Sequence, residues 1–525
     1  MTTRLGDRRA AIRNQVEYIL DNSRGEVQEV ILKTGRSTPE DESFTRTVAE
    51  ALRKRAMATS PRDVLPAERK LLSAGRWTGS RTSASKRLRN VDLSLSAQIA
   101  WAPVTTSKIA TLRAANLEAM LPVIQSEVVQ KNLHRNASRR QRGADSEFEP
   151  RKFWTSGSFL MRFNQDDLMR LYKDDSLVEN LEGVFPNRRI AVPPAITPKQ
   201  VPHFVEDNKV SGWGVRSIGA LGVWGAFGTK GKGVTVGLLD TGVDANHPDL
   251  VGRISAWAEF DERGHEVPRS KPHDSDQHGT HCAGIIVGGN ASGRWIGVAP
   301  EATIAAALVL DGSKGGTDAQ VLAGIDWAID QRVDVINMSL GGLSWGPDVP
   351  STYTSAILNA LRVGIPVVTA IGNEGSQTTG SPGNDFLAFA VGATDHMNRA
   401  AGFSGGRTQV IRQSPFFPQD MLPLVFSKPD LSAPGVSIWS SIPNGKWEYF
   451  NGTSMAAPHV SGAIALLLSG TNIRADVDPG ELAFVVQDLL TGSADELGEA
   501  GQDHRFGFGK IDVLRALGFA KELGY

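Results

Sequence analysis

Gly452-Thr453-Ser454-Met455-Ala456-Ala457, continued by Pro458-His459-Val460, sets a serine between a small flexible turn and an Ala-rich apolar run. That pattern predicts a hydroxyl at a helix N-terminus, where free N–H groups and the helix dipole favour developing negative charge. Alone it is ordinary turn chemistry. Two stretches upstream change its weight. Leu238-Leu239-Asp240-Thr241-Gly242 ends an apolar run on a carboxylate, and His278-Gly279-Thr280-His281-Cys282-Ala283-Gly284 supplies an imidazole in a Gly-bounded segment. Acyl transfer needs a nucleophile, a base for its proton, a group that orients the base and donors for the oxyanion. Ser454, His278 and Asp240 are the candidates for the first three. Taken singly, they would read as an N-cap, a helix cap and an Asx-type turn.

Asp, His and Ser follow one another in that order with these flanks, and on them the chain resembles the subtilisin-like serine protease family. The resemblance covers roughly residues 91–525, with specific motifs from Trp213 onward. It implies that Asp240 orients the base, that His278 is base and later acid, and that Ser454 attacks. Ala370-Ile371-Gly372-Asn373-Glu374-Gly375 resembles the family's oxyanion segment, with Asn373 as side-chain donor beside the Ser454 backbone N–H. Asn337-Met338-Ser339-Leu340-Gly341-Gly342 resembles the segment that pairs with substrate backbone, and Ser313-Lys314-Gly315-Gly316 the opposing edge strand. Between them an extended peptide would add as a strand. Ser339, Leu340 and Gly341, with Ala370, Ile371 and Gly372, are expected to wall the primary specificity pocket. Gly380 would lie near its base and Glu374 near its mouth.

No catalytic metal is expected, because His278 and His281 have no third ligand at suitable spacing. His281, His247 and His459 are read as structural. In the family, calcium would be held by Asp249 and the loop Val287 to Trp295, but Ala291 stands where the family places a ligand asparagine. The expected cofactor set is therefore none, with calcium the one ion left open. Cys282, the single cysteine, excludes an internal disulfide framework and reads as a packed, mostly inert thiol.

Composition fits an ordinary globular protein: 525 residues, 40% hydrophobic and 22% charged. That length exceeds one core, so two or three domains are expected. No apolar run approaches the roughly 20 residues of a membrane helix. Met1 to Arg13 is polar and shows no secretory pattern, which points to cytoplasmic residence. Residues 1–150 carry 26 Lys/Arg against 17 Asp/Glu, and the remainder 30 against 40, as expected of two oppositely charged units that dock. The basic cluster Arg135 to Arg142 lacks interleaved aromatics, so it reads as a solvated loop, with neither nucleic acid nor membrane as partner.

The pattern predicts an unassigned, partly helical segment over 1–90, with Ile12, Val16, Ile19 and Leu20 marking one helix and Val48, Leu52 and Ala56 another. Over 91–194 it predicts strand, helix, strand, strand, helix, strand, the ferredoxin-like α+β order. The strands are placed at Val91 to Val104, Val123 to Val129, Ser158 to Phe163 and Gly183 to Val192. Ahead of a subtilisin-like domain, such a unit resembles the family's inhibitory propeptide. Residues 195–212 read as linker. From 213 to 525, alternating strands and helices predict a doubly wound, mainly parallel α/β sheet. An insertion at about Arg407 to Phe426 carries the apolar Pro415-Phe416-Phe417-Pro418.

The function expected is a serine endopeptidase acting on polypeptides, held inactive by its N-terminal region and open to a regulatory protein acting there. The rival is a permanently occluded protease-fold binding protein. Pro193-Pro194 is a poor partner for strand-like docking and cleavage. Processing is therefore expected within Pro198 to Lys209, with Phe204 on the acyl side of the cut.

Overall fold

The computed structural model describes residues 2–22, 27–35, 39–64, 106–141, 148–191, 196–202, 205, 209–312, 314–343, 352–412, 414, 417 and 419–525. The C-terminal unit is built on a parallel sheet of seven strands. Their spatial order is Leu431–Pro434, Phe389–Thr394, Val367–Ala370, Val335–Met338, Thr235–Asp240, Thr303–Leu308 and Ile254–Glu259. Strands buried on both faces read as continuous apolar runs. Val236–Asp240 and Ile304–Leu308 are accordingly buried throughout. Asp318–Asp330 and Thr354–Arg362 are helical, as the periodicity predicts. The helix Thr453–Gly470 is buried from Thr453 to Leu468 and packs on the central strands, which suits a helix apolar on all sides.

The N-terminal unit is an antiparallel sheet in the order Arg151–Phe153, Ser158–Asn164, Val27–Thr34, Leu181–Pro186. With helices Thr106–Gln125 and Glu127–Gln141 after its first strand, and Gln165–Arg170 and Asp175–Asn180 after its third, this is the split βαβ order predicted. Its first strand differs from the expectation. Val27–Thr34, inside the segment set apart as 1–90, runs down the middle of the sheet, so the boundary at residue 91 does not hold. The expected strand at Val91 to Val104 lies outside the described residues. The strand expected at Val123 to Val129 is instead helix broken only at Ser126. Met120, Val123 and Val129 are all buried, a spacing of three that belongs to a helix despite the β-branched residues. Arg135 likewise lies on that second helix rather than in a loop.

Alternation along Val27–Thr34 builds two interfaces. Val30 and Leu32, opposite Met161 and Phe159, face a core that takes in Ile12, Val16 and Ile19 of the helix Thr2–Asn22. Ile31, opposite Leu160, belongs to the core of the parallel-sheet unit with Phe153, Leu322 and Ala323. Each such fully buried side chain contributes roughly 1.5–3 kcal/mol. Polar contacts follow the opposite charges. Arg55 pairs with Asp488 at 2.7 Å, Arg113 with Asp330, and Asp326 accepts from the Trp154 and Thr155 N–H groups at 3.0 and 2.9 Å.

The helix Pro39–Ala56 covers the insertion, which forms a hairpin of Arg407–Ile411 with Leu424–Lys428. Arg53 donates to the Met421 carbonyl at 2.6 Å. Phe417 of the apolar stretch is buried against Phe386, whereas Pro415, Phe416 and Pro418 lie outside the described residues.

Candidate active site

Asp240 closes its strand at the carboxyl end of the parallel sheet, and His278 opens the helix His278–Val287. His278 Nδ1 stands 2.7 Å from Asp240 Oδ1, with both side chains 1% exposed. Oδ1 also accepts the Thr241 N–H at 2.7 Å, which fixes the carboxylate against the ring. The approach depends on glycine. Gly242 has φ +109°, and a Cβ there would lie 2.1 Å from the His273 carbonyl oxygen. A Cβ on Gly279 would lie 2.0 Å from the Gly242 carbonyl oxygen. Any side chain at either position would drive the two segments apart.

Burial pushes the His278 imidazolium toward losing its proton, but the Asp240 carboxylate more than offsets this and holds its pKa well above the ordinary histidine value. The other buried histidines behave oppositely. Burial pulls His281 down to about 3 and His459 to about 4. His281 Nε2 lies 3.1 Å from the Ile438 and Glu448 carbonyls, and its ring stacks on Phe450. His459 Nδ1 bonds the Met455 carbonyl, and His247 bridges the Lys446 carbonyl and the Asp249 N–H.

Ser454 lies in the first turn of the helix Thr453–Gly470 and is 2% exposed. Its Oγ donates to the Ser339 carbonyl at 3.2 Å, and its own carbonyl accepts from Ser339 Oγ at 3.0 Å and from the Cys282 thiol at 3.4 Å. Cys282 Sγ also lies 3.8 Å from His278 Nδ1, so the helix of His278 and that of Ser454 meet at this residue. Burial raises the Cys282 thiol to about 11, which keeps it protonated and unreactive at neutral pH.

Asn373 follows the strand Val367–Ala370. Its Oδ1 accepts from both the Thr453 N–H and the Thr453 hydroxyl at 2.9 Å. That double anchor turns the Nδ2 donor toward the turn at Gly452, whose Cβ position is 3.6 Å away. Three segments converge nearby. Gly342–Leu343, directly after Ser339-Leu340-Gly341, pairs with Gly380–Ser381, and the Gly380 N–H bonds the Ile371 carbonyl at 2.9 Å. Ala370, Ile371 and Gly372 therefore lie beside Gly380. Glu374 folds back, its carboxylate accepting the Asn373 N–H at 2.9 Å. Gly315 lies on the strand Gly315–Thr317, which runs between Arg189–Ile190 and Leu310–Asp311, whereas Ser313 lies outside the described residues.

A sequence profile described as the Subtilase family matches residues 231–509, the stretch that carries this whole constellation. The chain belongs to the subtilase family. It is similar to the major intracellular serine protease of Bacillus subtilis (strain 168), with 39% identity over 49% of this chain and 74% of the relative. Subtilisin E of the same organism is 37% identical over 55% of this chain and 67% of its own length. The intracellular serine protease of Paenibacillus polymyxa is 38% identical over 51% and 77%. This subtilase is thus a subtilisin-like serine endopeptidase acting on polypeptides. Among the described residues no helix is long and apolar enough to cross a membrane.

The calcium loop of this subtilase does not fit the ion. Asp249 Oδ1 accepts the Ala291 N–H at 2.7 Å, and Oδ2 accepts the Trp447 indole N–H at 2.6 Å. Both oxygens thus face donor hydrogens, and Ala291 has no side-chain oxygen to add to the shell a calcium ion needs.

Sequence reasoning missed Asp274. Its carboxylate accepts from Thr241 Oγ1 at 2.7 Å, Thr280 N at 2.7 Å and Thr280 Oγ1 at 2.6 Å. Thr241 Oγ1 in turn accepts the Gly279 N–H at 2.9 Å. Asp274 therefore ties the turn after Asp240 to the helix start at His278. The run His273-Asp274-Ser275-Asp276 gave no local signal, because its partners lie on another segment.

Proposed function

We propose that this subtilase cleaves peptide bonds through Asp240, His278 and Ser454, with Asn373 and the Ser454 N–H receiving the oxyanion. The observation that carries the reading is the buried 2.7 Å contact between His278 and Asp240, which leaves Nε2 as the ring's free edge. In this reading Ser454 Oγ attacks the scissile carbonyl carbon while His278 Nε2 takes its proton. Asp240 stabilises the imidazolium so formed. The carbonyl electrons move to oxygen, where Asn373 Nδ2 and the Ser454 N–H, which has no intrahelical partner in the first turn, donate to it. Collapse expels the amine, which takes the proton back from His278. Water then repeats the sequence on the acyl-enzyme. Replacing Asn373 with Leu should lower kcat about 10²–10³-fold with little change in KM. A loss below threefold would remove Asn373 from the oxyanion site.

We further infer that the N-terminal region holds the enzyme latent. Arg189–Ile190 pairs antiparallel with Gly316–Thr317, the edge on which a substrate strand would add, and Ile196 pairs with Asn451, three residues before Ser454. These two pairings bracket the cut proposed here, after one of residues 191–196 and so earlier than the Pro198 to Lys209 expected from sequence; residues 192–195 themselves lie outside the described residues. Beyond them Val205 is buried in the catalytic core, and Phe204 lies outside the described residues.

Replacing the buried Ile190 with Asp should weaken this docking and raise the peptidase activity of the full-length protein about tenfold or more. Unchanged activity would favour a permanently closed chain. If the wild type cuts itself, N-terminal sequencing should find the new end between residues 192 and 197.

A further inference from the structure

We propose that Asp318, together with Tyr353, forms an arginine-binding subsite of the substrate groove, so that polypeptides with an arginine upstream of the cleaved bond are preferred. This rests on the peptidase reading above and specifies its substrate class.

Asp318 directly follows the strand Gly315–Thr317, on which Arg189–Ile190 adds, and begins the helix Asp318–Asp330. Its carboxylate is wholly buried, yet it is met from the groove by Arg188, a third of whose side chain remains exposed. The contact is a two-toothed fork. Arg188 Nε donates to Oδ2 at 2.8 Å and Nη2 to Oδ1 at 3.1 Å. Tyr353, itself buried, donates its hydroxyl to Oδ1 at 2.5 Å. Burial, then the Asp318 charge, raise the Tyr353 pKa well above its ordinary value, so the phenol stays a donor. Main chain joins the same register: the Asp318 N–H donates to the Arg188 carbonyl at 3.1 Å, and the Arg188 N–H to Oδ2 at 3.2 Å.

The acid belongs to the catalytic unit and the base to the strand lying in its groove. When that strand leaves, Asp318 loses its guanidinium and keeps the Tyr353 hydroxyl on Oδ1. A buried carboxylate stripped of its cation is strongly unfavourable, so the vacated position selects a replacement of the same kind. Lysine is a poor one, because a point charge cannot meet both oxygens as a planar fork does. The neighbouring pair, Arg189 with Glu262, is more than half exposed on both sides and confers little selectivity. A substrate strand in the register of residues 188–190 would set its own side chain on Asp318. With the proposed cut after one of residues 191–196, that side chain stands three to eight residues before the residue whose carbonyl is attacked.

The test is an internal competition. Full-length protein receives equal amounts of two decapeptides, identical except for arginine or citrulline at one of those upstream positions, and the products are counted by mass spectrometry. Because both peptides share one tube, the ratio of kcat/KM values does not depend on what fraction of the protein has an open groove. At one position arginine should win by about 10- to 100-fold. Lysine in its place should gain far less. The preference should fall to within about twofold of unity in Asp318→Asn and shrink in Tyr353→Phe, which also serves if Asp318→Asn does not fold. Equal cleavage at every position, lysine matching arginine, or an undiminished preference in Asp318→Asn would each overturn the subsite.

Failure to cleave any peptide would count against the peptidase reading instead. Binding then decides the subsite. The full-length Arg188→Ala protein should bind a fluorescent peptide of residues 184–191 at least about tenfold more tightly than a copy with citrulline in place of Arg188. Equal binding of the two would sink the proposal.

Discussion

Replacing Ser454 with Ala should abolish peptidase turnover, by on the order of 10⁶-fold, while leaving the fold intact. The size follows from how the site is assembled. Ser454 sits in the first turn of a helix that is buried along nearly its whole length, and its hydroxyl donates to the Ser339 carbonyl. Alanine keeps the helix, the Cys282 and Ser339 contacts to the residue 454 carbonyl, and the backbone N–H. Only the nucleophile is lost. What survives is the contribution of substrate binding and of the oxyanion donors, on the order of 10³–10⁴ over water. Steady-state hydrolysis of a short chromogenic peptide, beside thermal melts of both proteins, measures this. Near-wild-type turnover in Ser454→Ala would sink the assignment. In the reading offered here Cys282 cannot take over, since its thiol is buried and protonated at neutral pH.

Asp240→Asn should cost on the order of 10⁴-fold in kcat and shift the pH profile. Asn leaves the volume unchanged but replaces a carboxylate 2.7 Å from His278 Nδ1 with a neutral amide. The base works only when His278 is neutral, so activity is low below its pKa and rises as pH passes through it. Burial alone would set that midpoint low. The Asp240 charge more than reverses this and places it above the ordinary histidine value. Without the charge, burial remains, so the midpoint of kcat/KM against pH should move toward acid as the plateau collapses. A variant that keeps the wild-type midpoint and most of its rate would show that Asp240 does not act on His278.

Much of the fold is legible in the chain wherever one segment decides its own state. The apolar runs Val234 to Leu239 and Val333 to Met338 announce strands buried on both faces, and a parallel sheet needs such runs. Thr354–Arg362 is amphipathic and appears as drawn. The N-terminal sheet was harder. Val27–Thr34 lies in a mostly polar stretch, ends in Lys33-Thr34, and gains its place only by pairing with Ser158–Asn164 and Leu181–Pro186. Its buried Lys33 is tolerated because Glu182 meets it at 2.6 Å, a partner about 150 residues away. The two β-branched pairs around Ser126 pointed to a strand. Packing against the sheet favoured helix, since every third residue there finds the core.

The candidate site divides along the same line. Asp240, His278, Ser454 and Asn373 can be named from local motifs, because each requires its own glycine- or alanine-rich surroundings: a tight turn after a strand, or a helix start. Sequence alone thus determined the chemistry available and the sheet that presents it. Only the tertiary structure could bring Asp274 to the joint between two of those motifs, or put Trp447 on Asp249 in place of a calcium shell. Only it could lay Arg188 on Asp318. A local motif records the backbone conformation a residue needs, whereas a charge buried against a distant partner leaves no periodicity or spacing to read. Its meaning exists only once the two segments have folded against each other.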